Sequence, residues 1–236
     1  MHRESHEWWS PALGRSMRLL WYGREGRPIL IFPTSMGHES QNEDLGLIGG
    51  VGDLIERGVV QACCVNAVDE ESWYNRGASP ADRVRRHDAY DRYLAGEVVP
   101  FIHARMSRRD LVSYGASFGG YHAANFALRH PEAVSRLIAF SGIFDIHRFL
   151  DGYWDELCYF HCPSAYVANF PPAWVERIRP MGIVIATGEQ DHLAPETRSF
   201  ADILRSKGLP VHEEIWPGVS GHDWRFWIDN LRRFVP

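Results

Sequence analysis

Asp110-Leu-Val-Ser-Tyr114 leads into Gly115-Ala116-Ser117-Phe118-Gly119, and the stretch from Gly119 to His130 follows, stopped by Pro131. The first run is short, apolar and β-branched, as an interior strand is, and the last reads as a helix ended by a proline. Between them stands G-x-S-x-G, the pattern of a strand handing over to a helix through a turn so sharp that its serine is exposed as an activated nucleophile. Small residues two before and two after Ser117 are a steric requirement, because a Cβ at either place would collide with neighbouring chain. In a chain rich in glycine and serine the five-residue pattern alone is weak. Its weight comes from the strand and helix around it and from what else the chain supplies.

Outward from this junction, glycine and proline punctuate a repeated strand-then-helix order, the signature of a mostly parallel sheet flanked by helices on both faces. Strands are expected at 18–22, 28–32, 59–65, 110–114, 134–140, 181–187 and 211–216. Helices are expected near 46–57, over 83–105 with a kink at Pro100, and at 195–207 and 224–234. Between 144 and 179 the rhythm breaks into an aromatic-rich insertion with Tyr153, Trp154, Tyr159, Phe160, Phe170 and Trp174. Such a stretch is either a satellite hydrophobic cluster or a cap walling an acyl or aromatic pocket.

With 236 residues, 45% hydrophobic and 23% charged, the chain can bury one large core, and a single α/β domain over 1–236 is expected. The formal net charge of −5 is spread over the chain with no long basic run, which argues against nucleic acid as a partner. No apolar stretch reaches the length of a membrane span, and Met1-His-Arg-Glu-Ser-His-Glu7 lacks the layout of a signal peptide. The expectation is a soluble, cytoplasmic protein with no membrane partner. Cys63 and Cys64 are adjacent on an expected strand, so they point to opposite faces and suit packing. Cys158, His161 and Cys162 offer only one side of a tetrahedral site, and no metal is expected.

A serine hydroxyl is a poor nucleophile at neutral pH and needs a base, which in turn needs an orienting acid. After the strand at 181–187 comes Gly188-Glu189-Gln190-Asp191-His192, and after that at 211–216 comes Pro217-Gly-Val-Ser-Gly-His222-Asp-Trp224. Both segments sit where open α/β sheets place their sites, beyond the carboxyl ends of strands. The order Ser117, Asp191, His222 is that of α/β-hydrolases. His192 and His212 are rival bases, and Glu189 and Asp223 rival acids. The Phe118 backbone N–H is one donor for a developing oxyanion, and the loop Pro33-Thr-Ser-Met-Gly-His38 supplies the other from Met36 or Ser35. Ser35, Trp73, Tyr74 and Trp224 are the expected substrate-binding residues, although Trp73 and Tyr74 fit loop packing equally well.

Together these motifs resemble the esterase D-type, or putative esterase, family of α/β-hydrolases, which includes S-formylglutathione hydrolases, enterochelin esterases, feruloyl esterases and the antigen 85 mycolyltransferases. The resemblance starts at Ser10-Pro-Ala-Leu-Gly-Arg-Ser-Met17, like the family's S-x-x-L-G-R-x-M. It continues through Ser72-Trp-Tyr-Asn75, Gly115-Ala-Ser-Phe-Gly-Gly-Tyr-His-Ala123 and Ala127-Leu-Arg-His-Pro131, and closes with Gly188 to Asp191 and Gly221-His-Asp-Trp224. It implies a serine hydrolase that cleaves small-molecule carboxylic esters without a cofactor. In that reading Ser117 is the nucleophile, His222 the base and acid, Asp191 the orienting carboxylate, and Met36 and Phe118 the main-chain donors. The loop from Pro33 to Glu43 departs from the family's Asp-Gly-rich version, and 158–170 has no counterpart in the pattern, which leaves substrate identity open. An acyltransferase using an alcohol acceptor, or a non-catalytic binding member of the fold, are the alternatives. Oligomeric state is not readable, and a homo-oligomer stays open.

Overall fold

Eight strands make one sheet: β1 (Arg3–Ser10), β2 (Arg15–Tyr22), β3 (Arg27–Ile31), β4 (Val60–Val65), β5 (Leu111–Ala116), β6 (Val134–Phe140), β7 (Gly182–Gly188) and β8 (Val211–Trp216). The computed structural model describes residues 1–236 except Ser107 and Ser220. The spatial order is β1-β2-β4-β3-β5-β6-β7-β8. The pairs β1/β2 and β2/β4 are antiparallel and the other five are parallel, so the sheet is mixed and mostly parallel, the α/β-hydrolase arrangement. Strands β4 and β5 are buried at every position, as interior strands covered on both faces must be.

Strands β2 to β8 fall on the seven apolar runs, while β1 had no such signal. Its residues alternate between exposed and half-buried up to Ser10, so neither face is an apolar stripe. Tertiary partners hold it instead: full-length pairing with β2, the Trp8 ring stacked 5.5 Å from Phe101, and Trp8 Nε1 and Ser10 Oγ each donating to Glu97 at 2.7 Å.

The helices are α1 (Gln41–Asp44), α2 (Leu47–Gly50), α3 (Gly52–Glu56), α4 (Pro80–Tyr93), α5 (Val99–Ala104), α6 (Phe118–Arg129), α7 (Glu156–Phe160), α8 (Pro163–Ala168), α9 (Pro172–Ile178), α10 (Ala194–Ser206) and α11 (Trp224–Leu231). The helix expected at 46–57 is divided between α2 and α3 at Val51. That expected over 83–105 runs from α4 through a wide π-type turn at Leu94–Val98 into α5. Pro100 has no N–H to return to the Gly96 carbonyl, and the widened turn accommodates the loss. Among the described residues no helix is long and apolar enough to cross a membrane.

Each sheet face has its own core. Leu30 and Cys63 pack with Ala123, Phe126 and Ala127 of α6, while Ile29, Ile31 and Cys64 pack with Leu47 of α2, Ile55 of α3 and Trp227 of α11. The adjacent cysteines thus serve opposite faces. The aromatic insertion also divides. Ile146, Phe149, Leu150 and Cys158 pack around Phe118 and Tyr121 at the start of α6, whereas Tyr166, Val167, Val175 and Ile178 join the core beneath its far half.

Candidate active site

Ser117 ends the sharp turn from β5 into α6 with φ 56° and ψ −125°, a conformation that an L-residue holds only when its surroundings impose it. The surroundings are the two flanking glycines. A Cβ on Gly115 would overlap the Gly119 carbonyl group, and one on Gly119 would lie 2.5 Å from the Pro33 oxygen. Absence of side chains therefore lets α6 start against both β5 and the loop after β3. Ser117 N–H donates to the Phe140 carbonyl at 2.9 Å, and the residue keeps 9% of its surface exposed.

The loops after β7 and β8 meet beside this turn. Gly221 has φ 64°, and a Cβ on it would overlap Gly188, so the loop carrying His222 lies directly on the end of β7. That contact brings His222 Nδ1 to 3.1 Å from each oxygen of Asp191. Asp191 is buried, which pushes its pKa up. Hydrogen bonds from His222, Ser141 and the Leu193 N–H outweigh burial and hold the carboxyl below its ordinary value. With Nδ1 turned to the carboxylate, Nε2 is the imidazole nitrogen left to act as base. Among the described residues the Ser117 hydroxyl has no hydrogen-bond partner, and nucleophile–base contacts commonly tighten only in the substrate complex.

The rivals stand elsewhere or have other partners. His212 is exposed on the edge strand β8, next to Glu214 and Phe234. Glu189 accepts from the Gly218 N–H at 2.9 Å, and Asp223 caps α11 by accepting from Phe226 N–H at 3.2 Å. His192 lies closer. Its ring is 4.5 Å from that of His222 and its Nδ1 is 3.5 Å from Asp191 Oδ1.

The loop after β3 is braced from three sides. Thr34 donates through N–H and Oγ1 to Gln41 Oε1 at 2.8 and 3.1 Å, and Tyr74 donates to Ser35 Oγ at 2.8 Å. Met36 N–H donates to Asp69 Oδ2 at 2.9 Å. Asp69 is fully buried and pairs through Oδ1 with His122 Nε2, also at 2.9 Å. Met36 holds φ 54°, so this turn too is constrained. The Phe118 N–H, at the open first turn of α6, and the Ser35 N–H have no protein acceptor among the described residues. The sequence offered no direct signal for the Asp69–His122 brace, since only the fold brings the two residues together. The hint was an acid-rich loop after β4 and a histidine one turn beyond the elbow.

Of the expected substrate-binding residues, Tyr74 is half-buried with its ring 5.2 Å from Phe118 and 5.3 Å from Phe149. Trp73 is fully buried against His87, Tyr121 and Phe149, so it backs the wall rather than facing a ligand. Trp224 packs 5.3 Å from Trp227, which in turn stands edge-on to His222. An apolar groove of about 440 Å³, lined by Leu128, Tyr159, Phe160, Phe170 and Trp174, opens at the far end of α6, roughly 16 Å of helix away from Ser117. A polar cleft of about 230 Å³ with Arg15, Met36, Asn66 and Glu71 in its walls adjoins the loop after β3.

Cys158, His161 and Cys162 do not converge on a metal position, because His161 turns to Asn125 and Asp88. Among the described residues, the sets of three metal-ligating side chains that do converge are Asp145, His147, Cys162 and Asp191, His192, His222.

A family model described as "Putative esterase" matches residues 50–236. No curated protein sequence matches the chain significantly. Solved structures do. A ferulic acid esterase superposes with a TM-score of 0.78 at 16% identity, over 100% of this chain and 96% of that one. FphF, a fluorophosphonate-binding serine hydrolase of Staphylococcus aureus, gives 0.75 at 19% identity over 99% and 96%. The S-formylglutathione hydrolase FrmB of the same organism gives 0.68 at 16% identity over 100% and 98%. At these identities the likeness establishes the fold.

Proposed function

We propose that this chain, which belongs to the "Putative esterase" family and is a carboxylic-ester hydrolase, carries the acyl group on Ser117. As Ser117 Oγ attacks the ester carbonyl, His222 Nε2 takes its proton, and the imidazolium so formed is stabilised by Asp191 across Nδ1–H. The oxyanion is received by the Phe118 N–H and by an amide of the turn after β3. Ser35 N–H is the donor open in this structure; Met36 N–H, the other candidate, would first have to leave Asp69. His222 then protonates the departing alkoxide, and water, activated by the same imidazole, releases the acid. The observation that carries this reading is His222 Nδ1 set 3.1 Å from both oxygens of a buried, charged Asp191, beyond the carboxyl ends of the parallel strands, the same end of the sheet from which the Ser117 turn leaves β5.

The acyl group it takes is small. Phe118, Phe149 and Tyr74 stand 5.2 to 5.3 Å apart in ring-to-ring contact beside the nucleophile, with Ile143 and Ile146 buried among them. The first half of the insertion thus acts as a plug at the elbow rather than as the wall of a wide pocket. Among the described residues the eight strands belong to one sheet, which supports a single domain with the insertion at 144–179. The four cysteines are buried and unpaired, which fits a reducing, cytoplasmic setting.

A series of p-nitrophenyl esters of increasing acyl length tests the reading. The expected kcat/KM falls steadily beyond acetyl and propionyl, with free acid as product even when an alcohol acceptor is added. Preference for bulky aromatic acyl groups, or accumulation of the transesterified product, contradicts it.

A further inference from the structure

We propose that Asp191, His192 and His222 form an inhibitory site for a borderline divalent cation, Zn²⁺ above all. The consequence for activity rests on the Ser117, His222, Asp191 reading, whereas binding does not. Asp191 Oδ1 faces two imidazole Nδ1 atoms, His222 at 3.1 Å and His192 at 3.5 Å, and the three ligand atoms lie within 4.8 Å of one another. Bonds of about 2.0 to 2.2 Å in a tetrahedral set place donors roughly 3.3 Å apart. The two separations from Asp191 are therefore already close to those of a coordinated set. His192 can supply the remaining adjustment, because its side chain is 70% exposed and has no other hydrogen-bonding partner among the described residues. Two imidazoles and one carboxylate favour zinc and its late first-row neighbours over calcium or magnesium, and solvent fills the fourth position.

No step of ester hydrolysis uses His192, yet its ring is 4.5 Å from the catalytic imidazole. An ion on His222 Nδ1 takes the lone pair of that nitrogen. A neutral imidazole then keeps its single proton on Nε2, so the proton shifts from Nδ1 to Nε2 with none gained or lost overall. Nε2 can no longer accept the Ser117 proton, and the Asp191 contact that orients the ring is replaced by the ion. Zinc thus switches off the base by fixing the wrong tautomer, without occupying the acyl site.

The test is calorimetric titration of EDTA-treated full-length protein with Zn²⁺, run beside inhibition of p-nitrophenyl acetate hydrolysis. The expected result is one ion per chain, inhibition reversed by EDTA, and the same binding in Ser117→Ala. His192→Ala is expected to hydrolyse ester normally without metal while needing about tenfold more zinc, or beyond, for both binding and inhibition. Equal zinc sensitivity of His192→Ala and wild type, or no stoichiometric binding to wild type, overturns the site even if hydrolysis proceeds as described. If zinc binds as expected but Ser117→Ala still hydrolyses ester, the metal site stands and the nucleophile assignment falls.

Discussion

Asp191 shows how much of the site depends on single side chains. Its carboxylate is buried, and only the donors around it keep it charged below its ordinary pKa. Its negative charge therefore depends on those donors. Asp191→Asn keeps the shape but loses the charge that orients and stabilises His222, and kcat should fall on the order of 10⁴-fold with KM little changed. Steady-state kinetics checks this. Near-normal turnover would hand the acid role to Glu189 or Asp223, both of which already serve local backbone N–H groups. The sharp turn at Ser117 and the pairing of Asp191 with His222 were legible in the sequence because each residue follows an apolar strand, and glycine marks its turn. Asp69 and His122 were not, because a carboxylate and an imidazole 53 positions apart give no local sign of pairing.

At the scale of elements, the site is a meeting of three loops held by close backbone approach and one buried brace. Gly119 lets α6 touch the loop after β3, Gly221 lays the His222 loop on β7, and Asp69 ties Met36 to α6 through His122. Asp69→Ala would leave a buried imidazole and the Met36 N–H without their acceptor. The expected cost is about 1 to 3 kcal/mol of stability, measured by urea unfolding. Assayed well below its unfolding temperature, this variant should lose kcat rather than gain KM if, as proposed, the loosened turn holds an oxyanion donor and not the ground-state ester. A variant with normal kcat would show that the brace serves folding alone. The parallel strands were readable as apolar runs, whereas β1 and the split of the aromatic insertion were not. Strand β1 owes its place to β2 and Glu97, and the two halves of the insertion differ only in which end of α6 they meet.

Across the whole molecule, the polar groups buried beside α6 make stability depend on pH. His87 is fully buried, and burial first, then neighbouring His161, His122 and Arg129, hold its pKa well below 6.5. His161 is lowered as well, again chiefly by burial, with Asp88 opposing. Below about pH 6.5 the unfolded chain takes up protons that the folded chain refuses, so this stability is present above that pH and lost as pH falls. Lowering the pH from 7.5 to 5.5 should therefore lower the unfolding free energy, with His87 contributing to the loss. His87→Gln should remove that share from the pH dependence measured in urea, and an unchanged slope would place the titration elsewhere. Hydrolysis by this route requires that one serine out of the entire chain be activated. Intact-mass analysis after treatment with a fluorophosphonate probe measures that directly. A single adduct, mapped to the peptide carrying Ser117 and absent from Ser117→Ala, is the predicted result; a wild-type protein that never labels, or a Ser117→Ala variant that labels as well as wild type, would contradict it.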